Sequence, residues 1–319
     1  MGTVRTKNFI DARHPHFATL FAGAPPEQLA SGCKWAEGPA YLAQQRCVVW
    51  SDIPNDRMLR WDEVTGGVSI YRSPARYTNG HTLDHEGRLI SCEHGSRSVT
   101  RLEHDGSTTV LASHWQGKRL NSPNDVVVAR DGAIWFTDPA YGIDSDYEGH
   151  KADSEIGACH VYRVDPASGT CETVLTDFAR PNGLAFNADE SLLYVADTGR
   201  THVADGPKHI RVFTVGAGYA LSGGALFANC DVGLFDGFRV DALGRVWTSA
   251  GDGVHCYAPS GALLGKVLLP EPAANLVFGG VGGSDLFVCA TSALYRVRLA
   301  SDWATSSASM NMAATSKPV

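Results

Sequence analysis

The stretch "NDVVVARDGAIWFTDPA", residues 124–140, decides the fold. It opens on an amide and a carboxylate, enters the apolar strand Val126-Val127-Val128, reverses at a polar turn containing Gly132, and returns through Ile134, Trp135 and Phe136. The same grammar recurs in "EGPAYLAQQRCVVWSDI" (37–53), "NGHTLDHEGRLISCEHG" (79–95), "NGLAFNADESLLYVADT" (182–198), "DGFRVDALGRVWTSAGD" (236–252) and "NLVFGGVGGSDLFVCAT" (275–291). Short strands bounded by turn residues make each segment a β-hairpin.

Most segments continue into a third strand with its own turn, as in "RMLRWDEVTGG" and "HVYRVDPASGT", and then a fourth. Four strands per unit, repeating about every 40 to 45 residues, is the signature of a propeller blade. Six units therefore predict an all-β, six-bladed β-propeller, which six recurrences favour over a β-sandwich of irregular hairpins. An open edge strand is an aggregation template, so the ring must close, and a strand within 17–30 is expected to complete the last blade. The expected organisation is an N-terminal extension over 1–16, one propeller domain over 17–300 and a disordered tail over 301–319. Extra length at 141–158 and 199–208 reads as loops over one face, where function commonly resides.

Hydrophobic residues make up 44% of the 319, ample for a core. The net charge of -7, with no run of Lys or Arg, argues against nucleic acid or an anionic membrane as partner. No apolar stretch approaches the roughly 20 residues of a membrane span, and the N-terminus lacks a secretory h-region, so a cytoplasmic monomer or weak homo-oligomer is expected. The eight cysteines contain no Cys-x-x-Cys pair and read as small buried hydrophobes. Trp50, Trp61, Trp135 and Trp247 fall on strands and are assigned to packing between blades.

Innermost strands line a propeller's channel, so the blade-start residues Glu37, Asn79, Asn124, Asn182, Asp236 and Asn275 converge on one axis. Six polar side chains there would be unsatisfied without water or a cation. Carboxylates and amide oxygens are hard ligands, which makes a divalent metal the expected cofactor: calcium first, with zinc, manganese, magnesium or iron(II) as substitutes. A water-filled channel and a purely structural calcium remain as alternatives.

The pieces "EGPA", "LNSPNDVVVARDGAIWFTDPAYG", "RPNGLAF" and "DGFRVDALGRVWTSAGDGVHCYAPSG" resemble the gluconolactonase, regucalcin (senescence marker protein) and diisopropylfluorophosphatase family of six-bladed propellers, over roughly 35–298. They look closest to its bacterial sugar-lactone hydrolases. The resemblance places catalytic metal ligands on Glu37, Asn124, Asn182 and Asp236, and implies hydrolysis of a small lactone substrate. Glu37 and Asp236 are the expected catalytic residues, with Asp236 either activating water or serving only as a ligand. Asn124 and Asp125 are expected to bind substrate; Asp125 should point to the opposite side of the strand or beneath the metal, where it could orient a ligand, or else serve only as a hydrogen-bonding residue at the strand start. By the period of two, Asn79 and His81 should share a face and also contact substrate; His94 should border the entrance. Members acting on aldonolactones in animals carry arginine where this chain has Ser122, for which Arg119 or Arg180 could substitute.

No Gly-x-Ser-x-Gly elbow, P-loop or dinucleotide fingerprint is present. The reading is a metal-dependent hydrolase opening a sugar-acid lactone to the aldonic acid. Its alternatives are hydrolysis of another ester or a phosphotriester at the same site, and a calcium-binding propeller without turnover.

Overall fold

The computed structural model describes residues 9–305. Six antiparallel sheets of four or five strands correspond to the six repeats, and their innermost strands touch in a closed ring. The chain is a six-bladed β-propeller. Those innermost strands are Ala36–Leu42, Thr78–Leu83, Val126–Val128, Pro181–Phe186, Phe238–Val240 and Ala273–Gly279, in blades 1 to 6.

Blade 6 is completed from the other end of the chain: Glu27–Ser31 pairs antiparallel with Ala293–Arg298, Glu27 opposite Arg296. Blade 5 gains a fifth strand, Ile10–Ala12, from the stretch read as an N-terminal extension. Of the tail read as disordered, 301–305 form turns, and Trp303 is buried against Trp247 and Phe278. The remainder, 306–319, lies outside the described residues.

The strands are apolar almost continuously because each blade has a neighbour on both faces. Val48 and Trp50 pack against blade 6, while Cys47 and Val49 pack towards blade 2. Ile134 and Phe136 face blade 2, and Trp135 between them faces blade 4. Side chains alternating across a strand thus feed two separate cores, and six hydrophobic clusters fill the six blade interfaces. The four tryptophans expected between blades lie in these clusters, with Trp50, Trp135 and Trp247 fully buried. Six of the eight cysteines are buried and all are free thiols. Among the described residues no helix is long and apolar enough to cross a membrane.

At the axis the blades meet backbone to backbone. A β-carbon added to Gly38 would lie 1.9 Å from the Asn79 carbonyl oxygen, and one added to Gly237 would lie 2.0 Å from Asn275 Cγ. Gly80 and Gly183 press in the same way on Asn124 and Asp236. Each of these glycines directly follows a blade-start residue, so the absence of a side chain lets one blade start lie flush against the next. Gly237→Ala is expected to cost about 1–3 kcal/mol through overpacking. A denaturant midpoint lowered accordingly would support this tight axis; an unchanged midpoint would mean that the neighbouring strand can retreat.

Candidate functional site

The blade starts open into a cavity of about 210 Å³, lined by Glu37, Asn79, Asn124, Asn182 and Asp236, with Trp35, Tyr141, Glu148, Thr198, Thr201 and Leu234. It is smaller than the roughly 300–1,000 Å³ sites that take drug-sized ligands, so it suits a single small ring. Tyr141, Glu148 and Thr201 come from the two long loops, and Thr198 from the end of a blade-4 strand. For Tyr141, Glu148 and Thr201, position in those loops was the only advance signal.

Three blade-start residues are positioned by one repeated device. Asp138, the last residue of its strand, accepts hydrogen bonds from the amides of Asn121 and Ser122, both at 2.8 Å. Asp197 accepts from Ala179 and Arg180, both at 2.9 Å, and Asp52 from Lys34 at 2.8 Å and Trp35 at 3.4 Å. Each amide pair ends two residues before a cavity residue: Asn124, Asn182 and Glu37 respectively. A buried carboxylate on the second strand therefore fixes where the first strand begins.

Several cavity side chains carry oxygens with no hydrogen-bond partner. Asn182 donates through Nδ2 to Thr198 Oγ1 at 3.3 Å, and its Oδ1 is buried without a partner. Asn124 Oδ1 and Asn79 Oδ1 are likewise buried and unpartnered. Glu37 Oε2 accepts from its neighbour's amide at Gly38, and the Asp236 amide donates to Ser249 Oγ at 3.0 Å. Burial, then the Asp236 and Asp125 carboxylates, push Glu37 well above the usual carboxylate range. Asp236 is pushed up by burial first and then by Asp125 and Glu148. Among the described residues no three His, Cys, Asp and Glu side chains gather to hold a metal. Instead two carboxylates stand with unpartnered amide oxygens, an all-oxygen donor set that fits a hard divalent cation.

Other expected site residues lie elsewhere. His81 does not reach the cavity: its Nε2 meets Ser51 Oγ and its Nδ1 meets Ser91 Oγ, both at 2.8 Å, with the ring buried. A register shift between Thr78 and His81 interrupts the period of two on which the shared face with Asn79 depended. Asp125 is also outside the lining; Oδ1 accepts the Val126 amide at 2.9 Å and the other oxygen is buried without a partner. Its charge nonetheless bears on both Glu37 and Asp236. Asn275 donates weakly to Glu37 Oε1 at 3.5 Å.

His94 is buried rather than at the entrance. Its Nδ1–H donates to the Glu148 carbonyl at 3.0 Å, which leaves Nε2 to accept from Asn79 Nδ2 at 3.3 Å. That arrangement leaves Asn79 Oδ1 without a partner, and burial holds the His94 pKa down to about 4, keeping the ring neutral. No arginine lines the cavity. Arg180 pairs with Asp144 at 3.0 Å and lies over the Tyr141 ring, while Arg119 bonds the Ser96 carbonyl. Ser122 serves the backbone instead. Its Oγ donates to the Pro139 carbonyl at 2.6 Å and accepts the Gly142 amide at 2.9 Å, tying the strand start to the loop above it.

A family model described as SMP-30/Gluconolactonase/LRE-like region matches residues 35–292, and the chain belongs to this family. A gluconolactonase from Zymomonas mobilis is 29% identical over 305 residues, covering 88% of this chain and 83% of its own. A pentonolactonase from Haloferax volcanii is 27% identical, covering 81% and 82%. Among solved structures, a gluconolactonase from Xanthomonas campestris superposes with a TM-score of 0.85 at 38% identity, covering 91% of this chain and 94% of that one. A calcium-binding regucalcin from Agrobacterium tumefaciens, at 17% identity and a TM-score of 0.70 over 86% of this chain and 94% of its own, shares the fold.

Replacing Asp197 by Ala would leave the Ala179 and Arg180 amides without acceptors, at about 1–3 kcal/mol for each that water does not reach. The expected result is a lower thermal midpoint, measured by calorimetry. An unaltered midpoint would show that the strand start is held by other contacts.

Proposed function

We propose that this chain is a metal-dependent lactonase that opens a small, neutral sugar-acid lactone to the free aldonic acid. The observation that carries the reading is the convergence of buried, unpartnered Asn124 and Asn182 oxygens with Glu37 and Asp236 in one small cavity. Membership of the family and the gluconolactonase and pentonolactonase relatives support the substrate class. Glu37, Asn124, Asn182 and Asp236 would hold the cation, calcium being the first choice for such oxygen donors. When bound, the cation polarises the lactone carbonyl and stabilises negative charge developing on its oxygen.

The remaining work falls to the chain's own groups. Asp236 takes a proton from the water that attacks the carbonyl carbon. Asn79 Oδ1 and the hydroxyls of Tyr141, Thr198 and Thr201 offer hydrogen-bond partners for sugar hydroxyls, while Trp35 and Leu234 supply an apolar wall. With Glu37, Asp236 and Glu148 on its walls and no lysine or arginine, the cavity favours a neutral ring over a substrate carrying its own carboxylate.

Acid release from a panel of aldonolactones, measured with chelator-treated protein and with calcium, zinc, manganese, magnesium or iron(II) restored separately, tests this reading. Turnover is expected only with metal. Asp236→Asn and Glu37→Gln should each lower kcat on the order of 10²-fold or more, and Glu37→Gln should also weaken cation binding in calorimetry. Rates no faster than spontaneous hydrolysis for every lactone would refute the lactonase, and turnover confined to aryl esters or phosphotriesters would move the substrate class. Full activity in the Glu37→Gln, Asp236→Asn double variant would displace the site.

A further inference from the structure

Glu148 is the cavity carboxyl that the repeat does not account for. It lies in the loop that follows the short helix Tyr141–Asp144, outside the six repeated segments. Its backbone is closely held. The Glu148 carbonyl accepts His94 Nδ1–H, the His150 amide donates to the Gly142 carbonyl at 3.0 Å, and the Ala152 amide to the Ile143 carbonyl at 3.0 Å. Between them Gly149 passes so near the helix that an added β-carbon would lie 2.2 Å from the Gly142 oxygen.

Of the acids in this loop, Asp153 is exposed at the surface and three others are paired. Asp144 pairs with Arg180 and His202, Asp146 accepts the Lys151 amide, and Glu155 accepts the Arg119 amide. The Glu148 carboxyl has no hydrogen-bond partner among the described residues, although it lines the cavity beside Glu37 and Asp236. A rigid main chain carrying a free acid into a site is the arrangement expected of a group that acts on the ligand.

We propose that Glu148 is a further catalytic residue, the acid that protonates the ring oxygen as the lactone opens. This rests on the lactonase reading above. Water forms the new bond to the carbonyl carbon and gives a proton to Asp236. The bond from that carbon to the ring oxygen breaks, its electron pair stays on the oxygen, and the Glu148 proton converts it to a hydroxyl. Asp236 returns its proton to solvent and Glu148 regains one, so lactone and water give the hydroxy acid with nothing left over.

Burial raises both carboxyls of the pair, Glu148 and Asp236, so the assignment of acid and base rests on their places in the cavity. Burial, and secondarily the Asp144 carboxylate, push Glu148 up to about 7. The charged or titratable groups around it are Asp144 on the helix, Asp236 and Glu37 across the cavity, the neutral His94 behind its carbonyl, and Tyr141. Arg180, the nearby cation on blade 4, is already occupied by Asp144.

The test compares the metal-loaded parent, Glu148→Gln and Glu148→Asp on the best lactone, with spontaneous hydrolysis subtracted. Glu148→Gln should lower kcat on the order of 10²-fold and leave KM within about threefold; Glu148→Asp should recover part of the rate. Thermal midpoint and cation affinity by calorimetry should match the parent. A parent-like kcat in Glu148→Gln, a change confined to KM, no recovery in Glu148→Asp, or a loss of cation affinity would each overturn the assignment. A parent that turns over no lactone overturns the lactonase reading and this one with it, whereas an active parent with an unaffected variant removes only Glu148.

Discussion

The structure depends on how closely six strands can approach one axis. Backbone packs on backbone there because Gly38, Gly80, Gly183 and Gly237 withdraw their side chains, and the residue before each glycine is left pointing into the channel. That close approach brings polar groups from different blades into one cavity without any of them being neighbours in sequence. Blades 3 and 6 break the rule with Asp125 and Leu276. Asp125 thereby adds a buried carboxylate below the cavity, raising the pKa of Glu37 and of Asp236.

Holding a donor set in place needs a second support, and the strand-end aspartates provide it. Asp52, Asp138 and Asp197 fix the backbone just ahead of Glu37, Asn124 and Asn182, so the donors are aimed from rigid strands. The loops contribute the variable part. Ser122, Tyr141, Thr198 and His94 hold the roof by hydrogen bonds to one another's segments, and that roof supplies hydroxyls and a carboxyl.

Much of this was visible in the residues alone, for a physical reason. A blade buries both faces, so its strands are apolar and regularly spaced, and the first residue of each repeat must meet its counterparts at the axis. Glu37, Asn124, Asn182 and Asp236 followed from that symmetry, and the structure brings all four together. His81 did not follow. Counting by twos assumes an unbroken strand, and the register shift after Thr78 turns the ring away into Ser51 and Ser91. Glu148 was invisible for the opposite reason: it lies in a loop with no counterpart in the other blades. The pairing of Ser122 with Pro139 and Gly142 likewise depends on a fold-back that no periodicity encodes.

The pairing of Glu27–Ser31 with Ala293–Arg298 has a kinetic consequence. Contacts between residues so distant in sequence must wait for the intervening blades to assemble, which places ring closure late in folding. Until then blade 6 presents a bare edge, open to the corresponding strand of any molecule nearby. In a crowded refolding mixture the chain would therefore pass through a stage at which closing on itself competes with threading into a second copy, and dilution would decide which occurs.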